Sequence, residues 1–259
     1  MEKERSSMSS SYSLQQHLVA RRLLKVIAGI DNFDYDAVMA IARAAKAGGA
    51  QAVDIAADPA LIQAVKSETG LIVFVSSVDP VRLIQAADAG ADVLELGNFD
   101  AMYLNGEFPS AEQILGWART VKEAVGERVP LCVTVSGRLP VNEQRDLAIA
   151  LAHAGVNLLQ TEGQVGPEAN DVFSALSGAV QALGNTAEIR RVVDLPLLLA
   201  GGFTIETAPF AFAAGADALG VGAAISRLKD EAAMTAAVAR FVEAIASVTA
   251  EGKGIAQVS

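Results

Sequence analysis

From Leu23 onward, short apolar runs alternate with longer amphipathic ones. The apolar runs are Leu23–Ile30, Ala52–Ala57, Leu71–Ser77, Asp92–Asn98, Pro130–Gly137, Asn157–Gly163, Pro196–Gly202 and Ala218–Ile225. They are nearly continuous rather than polar at every second position. That pattern predicts strands buried on both faces, as in a parallel sheet covered by helices.

The segments between them carry helix start and stop signals. Asp34 or Asp36 is placed to cap the first. Asp58-Pro59 and Asp79-Pro80 put a side-chain acceptor at the N-cap and proline at the first helical position. Ser110 followed by Gln113 predicts a capping box. Gly48, Gly70, Gly90, Gly126, Gly155 and Gly215 mark helix ends. The region Asp171–Asp194 reads as a long helix broken at Gly184.

Eight such units fill about 250 residues, the usual size of a (β/α)8 TIM barrel. The α/β expectation is therefore a single barrel over residues 14–259, preceded by a disordered leader, 1–13. Residues 14–22 read as a short amphipathic helix that plugs the N-terminal mouth. A doubly wound open sheet is the alternative, but the first strand runs into Gly29-Ile30-Asp31-Asn32 without a GxGxxG turn.

Composition narrows the function classes. The chain has 259 residues, 52% of them hydrophobic, and a net charge of −10. That charge argues against nucleic acid as a partner. No apolar run approaches the ~20 residues a membrane helix needs. One cysteine, Cys132, excludes a disulfide framework. No His/Asp/Glu spacing resembles a zinc site, so no metal site is evident. Self-association is left open.

In this architecture, chemistry sits at the carboxyl ends of the strands. The runs Leu197–Thr204 and Gly215–Arg227 put paired glycines after strands seven and eight. Backbone amides of Gly201, Gly202, Phe203, Gly222 and Ala223 are expected to hold a phosphate there, so the expected partner is a small phosphorylated metabolite. The competing reading is that these glycines serve tight turns alone.

Asp31, Glu95 and Asp54 are the candidate general acids and bases, with Asn98, Ser136 and Gln160 as ligand-binding groups. Each also has a structural reading, as a helix cap or a buried polar contact. Period-two alternation from Asp31 puts Lys25 at the lower end of strand one, away from the chemistry. No lysine then lies in the upper half of a strand, which disfavours a Schiff-base aldolase. The loop Phe99–Ser110, with Phe99, Tyr103 and Phe108, reads as either a lid or a packed surface loop.

The motifs KVIAGIDNFD (Lys25–Asp34), VDIAADP (Val53–Pro59), LELGNFD (Leu94–Asp100) and LLAGGFT (Leu198–Thr204) together resemble the chloroplast hypothetical open-reading-frame family numbered twenty-three. The resemblance implies an aldolase-type, phosphate-binding barrel from a plastid or a cyanobacterium. The implied compartment is plastid stroma or cyanobacterial cytoplasm. It implies no catalytic residue. Three functions remain open at this level. They are a lyase or isomerase of a phosphorylated metabolite, an FMN-binding oxidoreductase-like protein, and a regulatory or scaffold barrel without catalysis.

Overall fold

The computed structural model describes residues 12–97, 99, 102–103, 105–163 and 172–255. A short helix, α1 (residues 12–19), precedes eight strand–helix repeats. The strands are β1 (Leu23–Gly29), β2 (Ala52–Ala56), β3 (Ile72–Ser77), β4 (Val93–Leu96), β5 (Leu131–Val135), β6 (Leu158–Thr161), β7 (Leu197–Ala200) and β8 (Ala218–Val221). All pair in parallel in chain order, and β8 closes on β1. The outer helices are α2 (Tyr35–Ala47), α3 (Pro59–Thr69), α4 (Pro80–Ala89), α5 (Ala111–Val125), α6 (Val141–His153), α7 (Val172–Arg190), α8 (Ala208–Ala213), α9 (Ala223–Ser226) and α10 (Glu231–Ile255). Closure of the sheet excludes the doubly wound alternative.

The capping signals act where the spacing predicts. Asp34 accepts from Ala37 N, which selects it over Asp36 as the cap of α2. Asp58 accepts from Ala60 N and Leu61 N, and Asp79 from Val81 N. Ser110 and Gln113 bond reciprocally at the start of α5. One expectation is corrected: α7 runs through Gly184 without a break. A helical glycine costs only about 1 kcal/mol relative to alanine, and the flanking turns of a 19-residue helix absorb it.

Two apolar layers hold the barrel. The larger lies between sheet and helices, with Val53, Val73, Leu94, Val133, Leu159, Leu199 and Leu219 facing outward against α2–α10. The smaller fills the lower barrel interior with Leu23, Ala52, Ile72, Phe74, Val93, Leu158, Leu198 and Ala218. Leu14 and Leu18 of α1 join this second cluster. The leader helix thus closes the N-terminal mouth, as its amphipathic pattern predicts. Residues 1–11 of the expected leader lie outside the described residues. Tyr12 and Ser13, expected in the disordered leader, instead form the start of α1, which ends at Val19 rather than at residue 22. Arg21 makes the turn from α1 into β1 in the left-handed region, with φ 52°. Its guanidinium donates to Ala216 O and Phe212 O, which holds that turn against the barrel floor.

Candidate active site

Six consecutive strands each supply one polar side chain to the barrel interior: Lys25, Asp54, Ser76, Glu95, Thr134 and Gln160. None is more than 3% exposed. Lys25 Nζ donates to Glu95 Oε2 and, at 2.9 Å, to Gln160 Oε1. It also lies 3.8 Å from Asp54 Oδ2 and 5.0 Å from the Phe74 ring centre. Ser76 Oγ donates to Asp54 Oδ1, and Gln160 Nε2 donates to Thr134 Oγ1 at 3.1 Å. The network therefore crosses the barrel from β1 to β4 and β6, and along its wall from β2 to β3.

Burying ions is costly, and the geometry shows how the cost is offset here. The ammonium has two carboxylates and an amide oxygen around it. Burial alone would lower the Lys25 pKa, but attraction from Glu95 and Asp54 outweighs it and the net shift is upward. Lys25 is thus a cation rather than a neutral nucleophile. Asp54 behaves in the opposite sense. Burial raises its pKa, Lys25 opposes that, and Glu95 repels the second charge, leaving Asp54 at about 7. A carboxyl that titrates near neutrality is suited to giving and taking a proton. Glu95 Oε1 has no hydrogen-bond partner among the described residues. Cys132, paired with Glu95 across β4 and β5, has its thiol pKa pushed up by burial and by the Glu95 charge. It behaves as a small core group.

One glycine is essential to this geometry. Gly97, just past β4, has φ 135°, and a Cβ there would lie 2.3 Å from Thr134 Oγ1. Only glycine lets the end of β4 close onto the threonine that holds Gln160.

A second polar group lies on the rim between β5 and β6. The loop after β4 folds back so that Tyr103 OH meets Ser136 Oγ at 2.5 Å and Glu162 Oε1 at 3.2 Å. Gly137 N donates to the same Glu162 oxygen. The Tyr103 and Phe108 rings stack at 5.8 Å, and Phe99 is fully buried beneath. The loop is therefore anchored over one corner of the mouth.

The third feature is the pair of glycine turns. Gly201 and Gly202 follow β7 with φ 115° and 73°, and Phe203 is buried as their anchor. Gly222 follows β8 and is the N-cap of the short helix α9, which opens at Ala223. No described residue accepts from the backbone amides of Gly202, Phe203 or Ala223. Gly202 and Ala223 are exposed.

The structure brings Asp54, Glu95 and Gln160 into one network, with Ser136 on the adjacent rim. Asp31 is not part of it and lies exposed in the turn after β1. Asn98 lies outside the described residues. The expectation that Lys25 stands apart from the chemistry is corrected. Its backbone is low in β1, pairing with the first residue of β2. Its four-carbon stem carries the ammonium up to the carboxylates. The alternation itself holds from Leu23 through Lys25 to Ile27, which face the interior, but it does not extend to Asp31, because the β1–β2 register shifts between Ile27 and Gly29. A lysine amid an otherwise apolar strand was the available signal, since an unpaired buried ammonium is rare. Among the described residues no group of three or more His, Cys, Asp or Glu is arranged to hold a metal ion. No described helix is long and apolar enough to cross a membrane.

A family model described as "Protein of unknown function (DUF561)" matches residues 8–251. An "Uncharacterized protein ycf23" from Antithamnion sp. is 34% identical over 226 residues, covering 83% of this chain and 81% of the relative. Its namesake from Cyanophora paradoxa is 34% identical over 221 residues, covering 83% and 89%. Among solved structures, a 3-hexulose-6-phosphate synthase from Salmonella typhimurium superposes with a TM-score of 0.66 at 14% identity, covering 87% of this chain and 99% of that one. At that identity the likeness concerns the fold.

Proposed function

We propose that this chain, which belongs to the DUF561 family, binds a small phosphorylated metabolite at the C-terminal mouth and moves a proton within it, as a lyase or isomerase. The observation that supports this reading is Asp54, a buried carboxyl with a pKa of about 7 set beside a buried ammonium. In this reading the amides of Gly201, Gly202, Phe203, Gly222 and Ala223 hold the phosphate, which needs no formal charge. Asp54 exchanges the proton, with Ser76, near the mouth end of β3, as its hydrogen-bonded neighbour. Lys25 stabilises negative charge that develops beside it, in a site where water does not screen the interaction. Glu95 Oε1 accepts a hydrogen bond from the ligand, and Asp31 is the outer carboxylate at the rim. Ser136, Gln160 and Asn98 complete the ligand contacts. The phosphorylated sugar in the name of the Salmonella typhimurium neighbour is in keeping with this substrate class. The ycf23 relatives make plastid stroma or cyanobacterial cytoplasm the proposed compartment.

Thermal unfolding of the full chain against inorganic phosphate and a panel of sugar phosphates tests the reading. A ligand at 100 times its Kd should raise Tm by about 5–10 °C. D54N should retain that shift and lose turnover. No shift with any member, inorganic phosphate included, sinks the proposal. A shift produced by FMN alone, with bound visible absorbance, would replace it by the flavin reading.

A further inference from the structure

Three arginines are partly buried among the described residues: Arg21, Arg138 and Arg190. Two of them are fully engaged. Arg21 donates to Ala216 O and Phe212 O. Arg190 donates to the Gly215, Val193 and Leu195 carbonyls and pairs with Asp217 at 2.5 Å. Both serve the floor of the barrel. Arg138 differs. It lies in the turn after β5, on the mouth side, and its guanidinium makes no hydrogen bond or ion pair with any described residue. Its Nε is buried and unpartnered.

Ring faces hold this guanidinium in place instead. Its central carbon lies 4.5 Å from the Tyr103 ring centre and 5.2 Å from that of Phe108. Tyr103 is itself fixed to Ser136 and Glu162. Stacking on aromatic faces orients the planar fork while leaving its N–H edge unused. In a chain with 30 acidic side chains against 20 basic ones, a sheltered cation without a carboxylate partner among the described residues is conspicuous. A pre-oriented fork of this kind is matched to a planar or tetrahedral oxyanion, which it can hold through two parallel hydrogen bonds.

We propose that Arg138 is a second anion-recognising group at the mouth, so that the ligand carries another acidic group, carboxylate or phosphate, besides the phosphate held by the glycine turns. This inference rests on the phosphate reading above and deepens it. Arg138 and the glycine turns stand on different strands, β5 against β7 and β8, so the two acidic groups must be at separate ends of the ligand. Arg138 thereby sets specificity, and the loop bearing Tyr103 and Phe108 is the frame that aims it.

The test is calorimetric titration of the full chain with glycerol 3-phosphate, 3-phosphoglycerate, fructose 1,6-bisphosphate and inorganic phosphate, for the wild type, R138Q and R138K. The expected wild-type result is that 3-phosphoglycerate or fructose 1,6-bisphosphate binds ~10-fold or more tightly than glycerol 3-phosphate. Which of the two gains identifies the second group. R138Q should abolish the preference, bringing 3-phosphoglycerate and fructose 1,6-bisphosphate to the affinity of glycerol 3-phosphate, and R138K should restore part of it. Equal affinity for all three organic ligands in the wild type, or a preference that survives in R138Q, overturns this inference and leaves the phosphate reading standing. Failure of inorganic phosphate and glycerol 3-phosphate to bind overturns both. An unaltered Tm for R138Q in the absence of ligand confirms that binding, not folding, was changed.

Discussion

The barrel interior divides into two unlike sectors. From β1 to β6 every strand contributes a polar or charged side chain to one buried network. From β7 and β8 come Leu198, Ala200, Ala218 and Gly220, which are apolar or small. Those two strands offer their polarity beyond their ends, through backbone amides in glycine turns. The same fold therefore presents two kinds of electrostatics. One depends on ionised side chains whose state responds to pH and to each other. The other depends on peptide dipoles that have no pKa. In the proposed function, a proton-moving group and a phosphate anchor make these opposite demands, and the division keeps the anchor indifferent to the proton.

Substitutions in the two sectors should separate these behaviours. The largest effect is expected from Lys25→Met. It leaves Glu95 and Asp54 buried without their cation and should cost ~3–5 kcal/mol in urea unfolding. Adding E95Q on that background should recover part of the loss, because one uncompensated charge is removed. A K25M protein as stable as the wild type would show that the network is not the electrostatic unit described here.

A pH series comes next. Asp54 holds its proton to about pH 7 when folded and releases it near 3.8 when unfolded. Between those values the folded state binds more protons than the unfolded state. Its contribution is fully present below 3.8, and stability falls as pH rises toward about 7. In D54N that downward slope should be missing from the pH dependence of ΔG. An identical slope in both proteins would remove Asp54 from the account. No comparable slope is expected from the glycine sector.

The smallest stability effect belongs to Gly202→Ala. An alanine at φ 73° should cost about 1–2 kcal/mol. It should also weaken inorganic phosphate binding ~10-fold by displacing the amides, while leaving the pH slope intact. Unchanged phosphate affinity would break the assignment of anchoring to this sector.

Much of this was legible in the chain, for a definite reason. Strand runs, aspartate–proline helix starts, the Ser110–Gln113 box and the glycine pairs are all local. Each depends on residues within about four positions, so spacing alone carries it. The α1 plug was legible too, because an amphipathic segment directly before β1 lies beside the N-terminal mouth, where its apolar face meets the lower barrel cluster. Gly184 was misread because a helix's neighbours can override one poor residue. The carboxylates Asp54 and Glu95 were visible as charges within apolar strands, while Asp31, equally prominent in sequence, sits exposed in its turn.

What the sequence determined by itself was eight strand–helix units whose apolar runs require a parallel sheet buried on both faces. Closure of that sheet, which excludes the doubly wound order, was decided by the tertiary structure. The sequence also determined that glycine turns would lie at the ends of β7 and β8. Only the tertiary structure decided, in addition, who meets whom across the interior. Lys25 and Glu95 are 70 positions apart, and Lys25 and Gln160 are 135 apart. Their contact exists because the sheet closes and because a lysine stem spans the distance between one layer and the next. Arg138 gained its meaning in the same way, since its lack of a carboxylate partner among the described residues depends on which side chains the folded chain brings around it. Local preference depends on chain proximity, whereas charge pairing, burial and the pKa of Asp54 depend on distances that closure alone creates.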